Sequence, residues 1–235
     1  MKPWINCEVY EVIKETHDTV TLRLTLESPM PFFAGQFVMV RFAEGELQDD
    51  KRASRAFSIS SSTDNPSIID ITIREYKDGK ISPKLCNCNK GDKLKVRGPY
   101  GNFIYKQEYD ENLVLIGAGS GIAPLMSIFA TALGEDPNKD ITLIYSDKTE
   151  RDLIRKNWFM SYKDFPRVDL CFTTTRMNWL GRQGRIDKKL IDLYVPYKEE
   201  NLFYICGSPS FVNDMVNILK ELNVELSKIK TEKYD

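Results

Sequence analysis

The chain has 235 residues, 42% of them hydrophobic and 29% charged, which suffices for one large domain or two ordinary domains with packed cores. A formal net charge of −1 gives no support to a general nucleic-acid binder, and the apolar runs are far shorter than a membrane-spanning helix requires. The N-terminus lacks the apolar core of a secretory signal, and five cysteines without metal-ligand spacing indicate reduced thiols. We therefore expect a cytoplasmic protein that engages no nucleic acid, membrane or metal.

Residues 1–107 have the pattern of an antiparallel β domain. Alternating apolar and polar residues, with turn residues between them, predict six short strands at positions 7–13, 19–26, 36–42, 56–60, 68–75 and 93–97. The charged stretch 44–53 is interpreted as an exposed loop, and the sequence SPKL at 82–85 as a possible helical turn. Six strands without a convincing helix predict a small antiparallel barrel.

Residues 108–235 change character, because strands and helices now alternate. The predicted strands lie at 112–116, 141–145, 168–173, 202–206 and 229–231, and the predicted helices at 123–133, 150–162, 188–193 and 210–222. This alternation predicts a doubly wound parallel sheet, in which ligands bind at the carboxyl ends of the strands.

One stretch of the second domain has the pattern of a phosphate site. A buried strand is followed by Gly117, Gly119 and Gly121, and Pro124 then opens a helical pattern. Free N–H groups and the helix dipole at such a turn attract a phosphate. Ile122 interrupts the dinucleotide fingerprint and no Lys follows as in a Walker A loop, so a strand-to-helix connection without a ligand is the alternative.

Two motifs of the first domain could also hold phosphates. Arg55, Ala56, Phe57 and Ser58 combine a cation, an aromatic ring and a hydroxyl, which suits a phosphate next to a flat ring; an exposed cation beside a core Phe is the alternative. In residues 79–82, GKIS, a flexible Gly and a Ser at a helix start could present N–H groups to a second phosphate, or could form an ordinary turn.

Two motifs of the second domain could contribute to a reaction. Cys206 ends a parallel strand, and we expect it at the mouth of a cleft between the domains, with a buried structural thiol as the alternative. Near the end of the chain, Tyr234 could stack on a flat cofactor and Glu232 could manage a proton, with a frayed charged tail as the alternative. With His17 as the only histidine, we expect the chemistry to come from an organic cofactor.

The order of these motifs is more specific than any one of them. RAFS, GKIS, GPYGNF, GAGSGIAP, CGSP and EKY follow one another along the chain. This ordered set resembles the ferredoxin–NADP reductase superfamily, and it is most similar to oxygenase reductase components and bacterial flavodoxin/ferredoxin reductases. The resemblance extends from residue 8 to residue 234. It implies a flavin-binding β-barrel over residues 1–107 and a nucleotide-binding α/β domain over residues 108–235.

The resemblance implies a non-covalent FAD on the barrel. Arg55 would pair with the phosphates, Phe57 would pack on the isoalloxazine, and Ser58 would approach its reactive N5 atom. Phe57 replaces the Tyr that is more usual at this place in the family. The remaining positions implied at the flavin are Ala56, then Ile73, Arg74 and Glu75 along a lining strand, and Gly79, Lys80, Ile81 and Ser82 at the pyrophosphate turn.

The resemblance also implies a site for NADPH or NADH on the second domain. Gly119, Gly121 and Pro124 would receive the nucleotide, while Thr175 and Arg176 would hold the 2′-phosphate of NADPH. Asp147 could instead repel that phosphate or bind the ribose hydroxyls, so the preference for NADPH is a narrow one. The positions implied at the hydride-transfer site and beside it are Cys206, Gly207, Glu232 and Tyr234, with Ser58, Cys206 and Glu232 as the catalytic residues.

The implied reaction is hydride transfer from the nicotinamide to FAD, followed by single-electron transfer to an acceptor such as a ferredoxin, a flavodoxin or an oxygenase component. The protein would act as a monomer or homodimer. One alternative is the electron-transfer subunit of a larger complex, as in dihydroorotate dehydrogenase, although those subunits carry a C-terminal cysteine cluster that residues 207–235 lack. The other alternative is a nucleotide-binding module without catalysis.

Overall fold

The computed structural model describes residues 2–43, 54–76, 78–109, 111–176 and 179–234. The predicted loop at residues 44–53 therefore lies outside the described residues. Contacts divide the chain into two compact units, each of which is considered by itself. Unit 1 comprises Met1–Lys106 with Met126–Thr131, and unit 2 comprises Gln107–Leu125 with Ala132–Asp235.

Unit 1 contains a six-stranded antiparallel sheet in the order β4-β3-β6-β1-β2-β5. An isolated antiparallel bridge between Ile59 and Ile71 joins the two ends of this order and makes the sheet barrel-like. This confirms the predicted antiparallel barrel. The strands are β1 (Ile5–Lys14), β2 (Thr19–Leu26), β3 (Phe37–Phe42), β4 (Arg55–Ser58), β5 (Ile68–Arg74) and β6 (Lys93–Tyr100).

The apolar residues whose alternation with polar residues predicted the strands form the core of the barrel. Val38 and Val40 of β3 and Leu94 and Val96 of β6 are fully buried, while their neighbours along each strand are partly exposed. Alternate residues of a strand point to opposite faces, so these side chains meet in one apolar core. Between β5 and β6, the possible helical turn is a one-turn helix, α1 (Ser82–Cys86).

Unit 2 contains a six-stranded parallel sheet in the order β10-β9-β8-β7-β11-β12, which confirms the predicted parallel α/β architecture. The strands are β7 (Asn112–Ala118), β8 (Ile141–Asp147), β9 (Val168–Thr174), β10 (Arg182–Gln183), β11 (Asn201–Gly207) and β12 (Ile229–Lys233). The helices are α2 (Ile122–Glu135), α3 (Lys156–Met160), α4 (Lys188–Tyr194) and α5 (Pro209–Glu221). The strand order changes direction between β7 and β11, and this is the place where doubly wound sheets bind ligands.

The helix predicted at 150–162 is wrong in its first half. Thr149 and Asp152 form a reciprocal capping box that closes a single 3-10 turn over Glu150–Asp152. The chain then becomes extended at Leu153 and left-handed at Arg155, with φ of 56°, so α3 starts only at residue 156. The apolar spacing of this stretch resembles a helix because Leu153 is buried, although its backbone is not helical.

Two further observations concern membrane-spanning helices and metal sites. No helix among the described residues combines the length and apolar composition needed to cross a membrane. No cluster of three or more His, Cys, Asp or Glu side chains that could hold a metal ion is present in the described part of the chain.

Candidate functional site

The first half of the candidate site lies on β4 of unit 1. Arg55 and Ala56 are exposed, Phe57 is half-buried against the barrel core, and Ser58 is buried. Within the described ranges, no ion pair or side-chain hydrogen bond involves Arg55. Its guanidinium is therefore available to an external anion, which fits the role predicted for it.

The stretch of β5 that was predicted to line the flavin is mostly engaged within the barrel. Ile73 is fully buried in the core. The Arg74 Nε atom lies 3.5 Å from the Asp18 carboxylate and donates to the Thr19 hydroxyl at 3.3 Å, and Glu75 donates its N–H to the Asp18 carbonyl. A cofactor contact by Ile73 would therefore have to be made by its main chain.

The turn before α1 has the features of an anion cradle. The Gly79 N–H donates to the Tyr76 carbonyl, and the Ser82 hydroxyl accepts from the Tyr76 N–H. A Cβ atom at Gly79 would lie 2.6 Å from the Ser82 hydroxyl, so this turn requires glycine. The N–H groups of Lys80, Ile81 and Ser82 have no backbone acceptor among the described residues.

Three successive N–H groups and a guanidinium, all without a partner among the described residues, match the donor requirement of two linked phosphates. The two features share unit 1, because Arg55 lies on β4 and the turn follows β5, the strand to which Ile59 bridges. The residues present thus fit a dinucleotide flavin. Tyr76, which is 55% exposed directly before the turn, offers a flat ring there. The sequence analysis missed it, although an aromatic residue ahead of a Gly turn was visible.

In unit 2, the predicted glycine turn lies at the change of strand order. Gly119–Gly121 forms a single 3-10 turn between β7 and α2, with Gly119 in the left-handed region at φ +58°. A Cβ atom at Gly121 would lie 2.4 Å from the Cys206 carbonyl oxygen and 2.7 Å from the Gly207 nitrogen. Pro124 lies in the first turn of α2. The glycine turn after β7 thus lies directly against the backbone at the end of β11, and a side chain at position 121 would not fit there.

Cys206 and Glu232 are register partners on β11 and β12. Cys206 has no exposed surface, as the alternative of a buried thiol predicts, and its place at the mouth of a cleft stays a prediction. Burial, with the Glu232 charge adding to it, raises the pKa of the Cys206 thiol well above its usual value. The thiol is therefore neutral, and a neutral thiol is a weak nucleophile.

The Glu232 carboxyl group of unit 2 has a raised pKa and an unpartnered oxygen atom. Its Oε2 atom is buried and has no hydrogen-bond partner among the described residues. Burial raises the pKa of Glu232 to about 7. Tyr234, which follows β12, donates its N–H to the Gly207 carbonyl at 2.9 Å, so the end of the chain is tied to β11 rather than frayed. Buried carboxyl groups with such a pKa hold or release a proton near neutral pH.

Thr175 and Arg176 are both exposed at the end of β9. Their N–H groups donate to the carbonyls of Asp147 and Lys148, at 3.0 and 2.9 Å. The Asp147 carboxylate is buried, it accepts from the Lys148 N–H at 2.8 Å, and its Oδ2 atom lies 3.3 Å from the Tyr145 hydroxyl oxygen. The predicted phosphate-binding pair is thus available to solvent, whereas the acidic group that could oppose it is held inside.

Both halves of the chain match known family models. A model described as the oxidoreductase FAD-binding domain matches residues 6–105, and one described as the oxidoreductase NAD-binding domain matches residues 115–217. These matches support FAD and NAD(P)H as the cofactors.

Similar proteins include the glycine betaine monooxygenase reductase subunit of Chromohalobacter salexigens, which is 28% identical over 97% of this chain. The chain spans 64% of the length of that relative. NADH-cytochrome b5 reductase 1 of Candida albicans is 27% identical over 93% of the chain and 76% of its own length.

Solved structures share the fold over almost the whole chain. The Amycolatopsis cytochrome P450 reductase GcoB has a TM-score of 0.86 and 25% identity, covering 99% of this chain and 71% of its own. A ferredoxin NADP+ reductase from Neisseria gonorrhoeae, with a TM-score of 0.82 and 21% identity, covers 98% of both chains and supports the fold alone.

Proposed function

Because this chain belongs to the ferredoxin–NADP reductase superfamily, we propose that it passes electrons from NADPH, through bound FAD, to a one-electron redox protein. The coarser activity, an FAD- and NAD(P)H-dependent oxidoreductase, follows from its two matched domains. The choice of NADPH, the acceptor and the role of each residue form the proposal.

The observation that carries the proposal is the pairing of Cys206 and Glu232 beside the glycine turn. The turn, the buried thiol and a carboxyl with an unpartnered Oε2 atom all belong to the ends of β7, β11 and β12. Bound FAD would supply a hydride acceptor that can release electrons singly. The chain would contribute N–H groups for the nucleotide at residues 119–121, an apolar wall at Cys206, and a proton held at Glu232 below about pH 7.

The flavin would be held by residues of unit 1. Arg55 would pair with one phosphate and the free N–H groups of residues 80–82 with the other, while Phe57 would pack on the ring system and Ser58 would face its reactive edge. Two phosphate anchors distinguish FAD from FMN, which has one. Ala56, Arg74 and Glu75 would line the same site, with contacts that their main chain can make.

Nucleotide selection would rest on Thr175 and Arg176. An exposed guanidinium beside a hydroxyl can pair with the 2′-phosphate of NADPH. The buried Asp147 carboxylate supports this choice, because it accepts the Lys148 N–H at 2.8 Å and is almost fully removed from solvent. Gly207 and Tyr234 would border the nicotinamide from β11 and from the residues after β12.

The acceptor would be a ferredoxin, a flavodoxin or the oxygenase component of a two-protein system, with this protein working as a monomer or homodimer. The oxygenase alternative is favoured by relatives named as a monooxygenase reductase subunit and as phenol hydroxylase P5 protein. Other relatives are named as cytochrome b5 reductases, so a small haem protein is the second candidate acceptor.

An anaerobic titration would test the proposal. The purified protein should be yellow, should release FAD on heating, and should bleach at lower concentrations of NADPH than of NADH. The reduced protein should then reduce an added ferredoxin or flavodoxin in one-electron steps. Release of FMN alone would exclude the two-phosphate site. A protein that binds both cofactors without bleaching would instead be the non-catalytic module.

A further inference from the structure

Tyr145 occupies an unusual position in the parallel sheet. It lies on β8 opposite Gly117 of β7, and its side chain is fully buried. Its ring meets the edge of Phe172 on β9, with the centroids 6.4 Å apart. A buried aromatic residue in a central parallel strand normally contributes only apolar area. Here, however, the hydroxyl lies at the carboxyl edge, where the glycine turn begins.

The Tyr145 hydroxyl contacts three separate segments. It lies 3.1 Å from the Gly119 carbonyl oxygen and 3.3 Å from the Asp147 Oδ2 atom, and it accepts the Ile154 N–H at 3.3 Å. A phenol has one proton, so this hydroxyl can donate to Gly119 or to Asp147 but not to both at once. The shorter distance leads to the glycine turn.

Gly119 begins the turn and determines the direction of its backbone. It has φ +58°, and the chain from Gly119 leads directly to Gly121, whose backbone lies against Cys206. A rotation of the peptide between Gly119 and Ser120 would reorient the Ser120 N–H together with the Gly119 carbonyl, since each peptide is a planar unit. The Gly119 carbonyl also accepts the Ile122 N–H that closes the turn. The Tyr145 hydroxyl is a second donor, which restrains this peptide and with it the direction of the Ser120 N–H.

We propose that Tyr145 is a positioning residue for the nicotinamide nucleotide. Its hydroxyl holds the Gly119 carbonyl, and it thereby keeps the turn of residues 119–121 in the conformation that receives the phosphates. This inference rests on the proposed function of the turn. It adds a residue that acts through the main chain of its neighbour and that touches neither cofactor.

Tyr145→Phe tests the proposal, since Phe keeps the ring and removes the donor. We expect the NADPH concentration that gives half the limiting rate of anaerobic flavin bleaching to rise about threefold to tenfold. A change of this size corresponds to the loss of one neutral hydrogen bond. The limiting bleaching rate should stay within about twofold of wild type, because uniform binding has been lost rather than transition-state stabilisation. NADH should show the same rise.

Tyr204→Phe is the matched control. Tyr204 is equally buried and lies in the same sheet, but it pairs with Leu115 in the middle of β7, away from the turn. It should leave the half-saturating concentration unchanged. An equal rise in Tyr204→Phe, no rise in Tyr145→Phe, or a loss confined to the limiting rate would each overturn the proposal.

Asp147→Asn is a second variant, which tests the idea even if Tyr145→Phe does not fold. The amide oxygen competes less strongly than a carboxylate for the phenol proton, so the Gly119 carbonyl keeps its donor. The half-saturating concentration of NADPH should stay equal or fall, whereas a rise of about threefold or more would place Asp147 itself against the nucleotide and refute the role of the hydroxyl. Wild-type flavin that neither nucleotide bleaches would refute the proposed function instead.

Discussion

Replacing Glu232 by Gln should change the pH dependence of stability in a defined direction. Burial raises the pKa of Glu232 from 4.5 to about 7 in the folded chain. Below about pH 4.5 both the folded and the unfolded states carry the protonated acid, so the group contributes no difference. Between about pH 4.5 and pH 7 the unfolded state releases the proton while the folded state keeps it. The free energy of unfolding therefore falls as the pH rises through this window.

The size of this effect follows from the shift. A difference of about 2.5 pH units corresponds to about 3 kcal/mol, at about 1.4 kcal/mol per unit. Gln has almost the same shape as protonated Glu but cannot ionise. Glu232→Gln should therefore match wild type at pH 4 and be more stable by up to about 3 kcal/mol at pH 8, because the buried charge is gone.

Urea unfolding of the flavin-loaded protein at several pH values would measure the difference. Glu200→Gln is the control, because Glu200 is an exposed carboxylate just before β11. Its difference from wild type should not vary with pH. The prediction would be refuted if the stability of Glu232→Gln relative to wild type did not increase between pH 4 and pH 8, or if the variant were less stable than wild type at pH 8. Either result would show that burial does not raise the pKa of Glu232.

Three further changes address the cofactor sites. Arg55→Ala should raise the dissociation constant of FAD by about tenfold or more, the loss of a charge-assisted contact, while the control Lys93→Ala leaves it unchanged; equal flavin retention by equilibrium dialysis would contradict this. Cys206→Ala should slow stopped-flow reduction of the flavin at unchanged flavin content, whereas an unchanged rate would leave Cys206 a packing residue only. Arg176→Ala should raise the KM for NADPH at least about tenfold and leave the KM for NADH almost unchanged; equal effects on both would remove Arg176 from the phosphate site.

The architecture was predictable wherever the pattern of apolar residues reports burial directly. The predicted strand 19–26 coincides with β2, and the predicted helix 210–222 lies within one residue of α5, which Ser208 caps. The failures have a different origin. Arg182 and Gln183 form β10 because their main chain pairs with Thr173 and Thr174 of β9. Neither Arg nor Gln is a strong strand former. The helix predicted at 150–162 does not form over its first half, because the chain becomes extended at Leu153 and left-handed at Arg155 after a single capped turn.

Some features of the candidate site could likewise be predicted from the local sequence, while others depend on residues that are distant along the chain. The need for glycine at Gly121 was visible as a pattern, but its reason is the backbone of Cys206, which the sheet topology brings beside it. Cys206 and Glu232 were identified from the strand pattern and then by the resemblance, whereas their burial depends on which strands flank β11. Tyr145 could not be found at all, since an aromatic residue in a parallel strand has the pattern of a core residue. Only the 3.1 Å distance from its hydroxyl to Gly119 distinguishes it. The chemical type of a residue can thus be read from the sequence, whereas its protonation state and its hydrogen-bond partners depend on the fold. The predictions on Glu232 and Tyr145 test these two properties that depend on the fold.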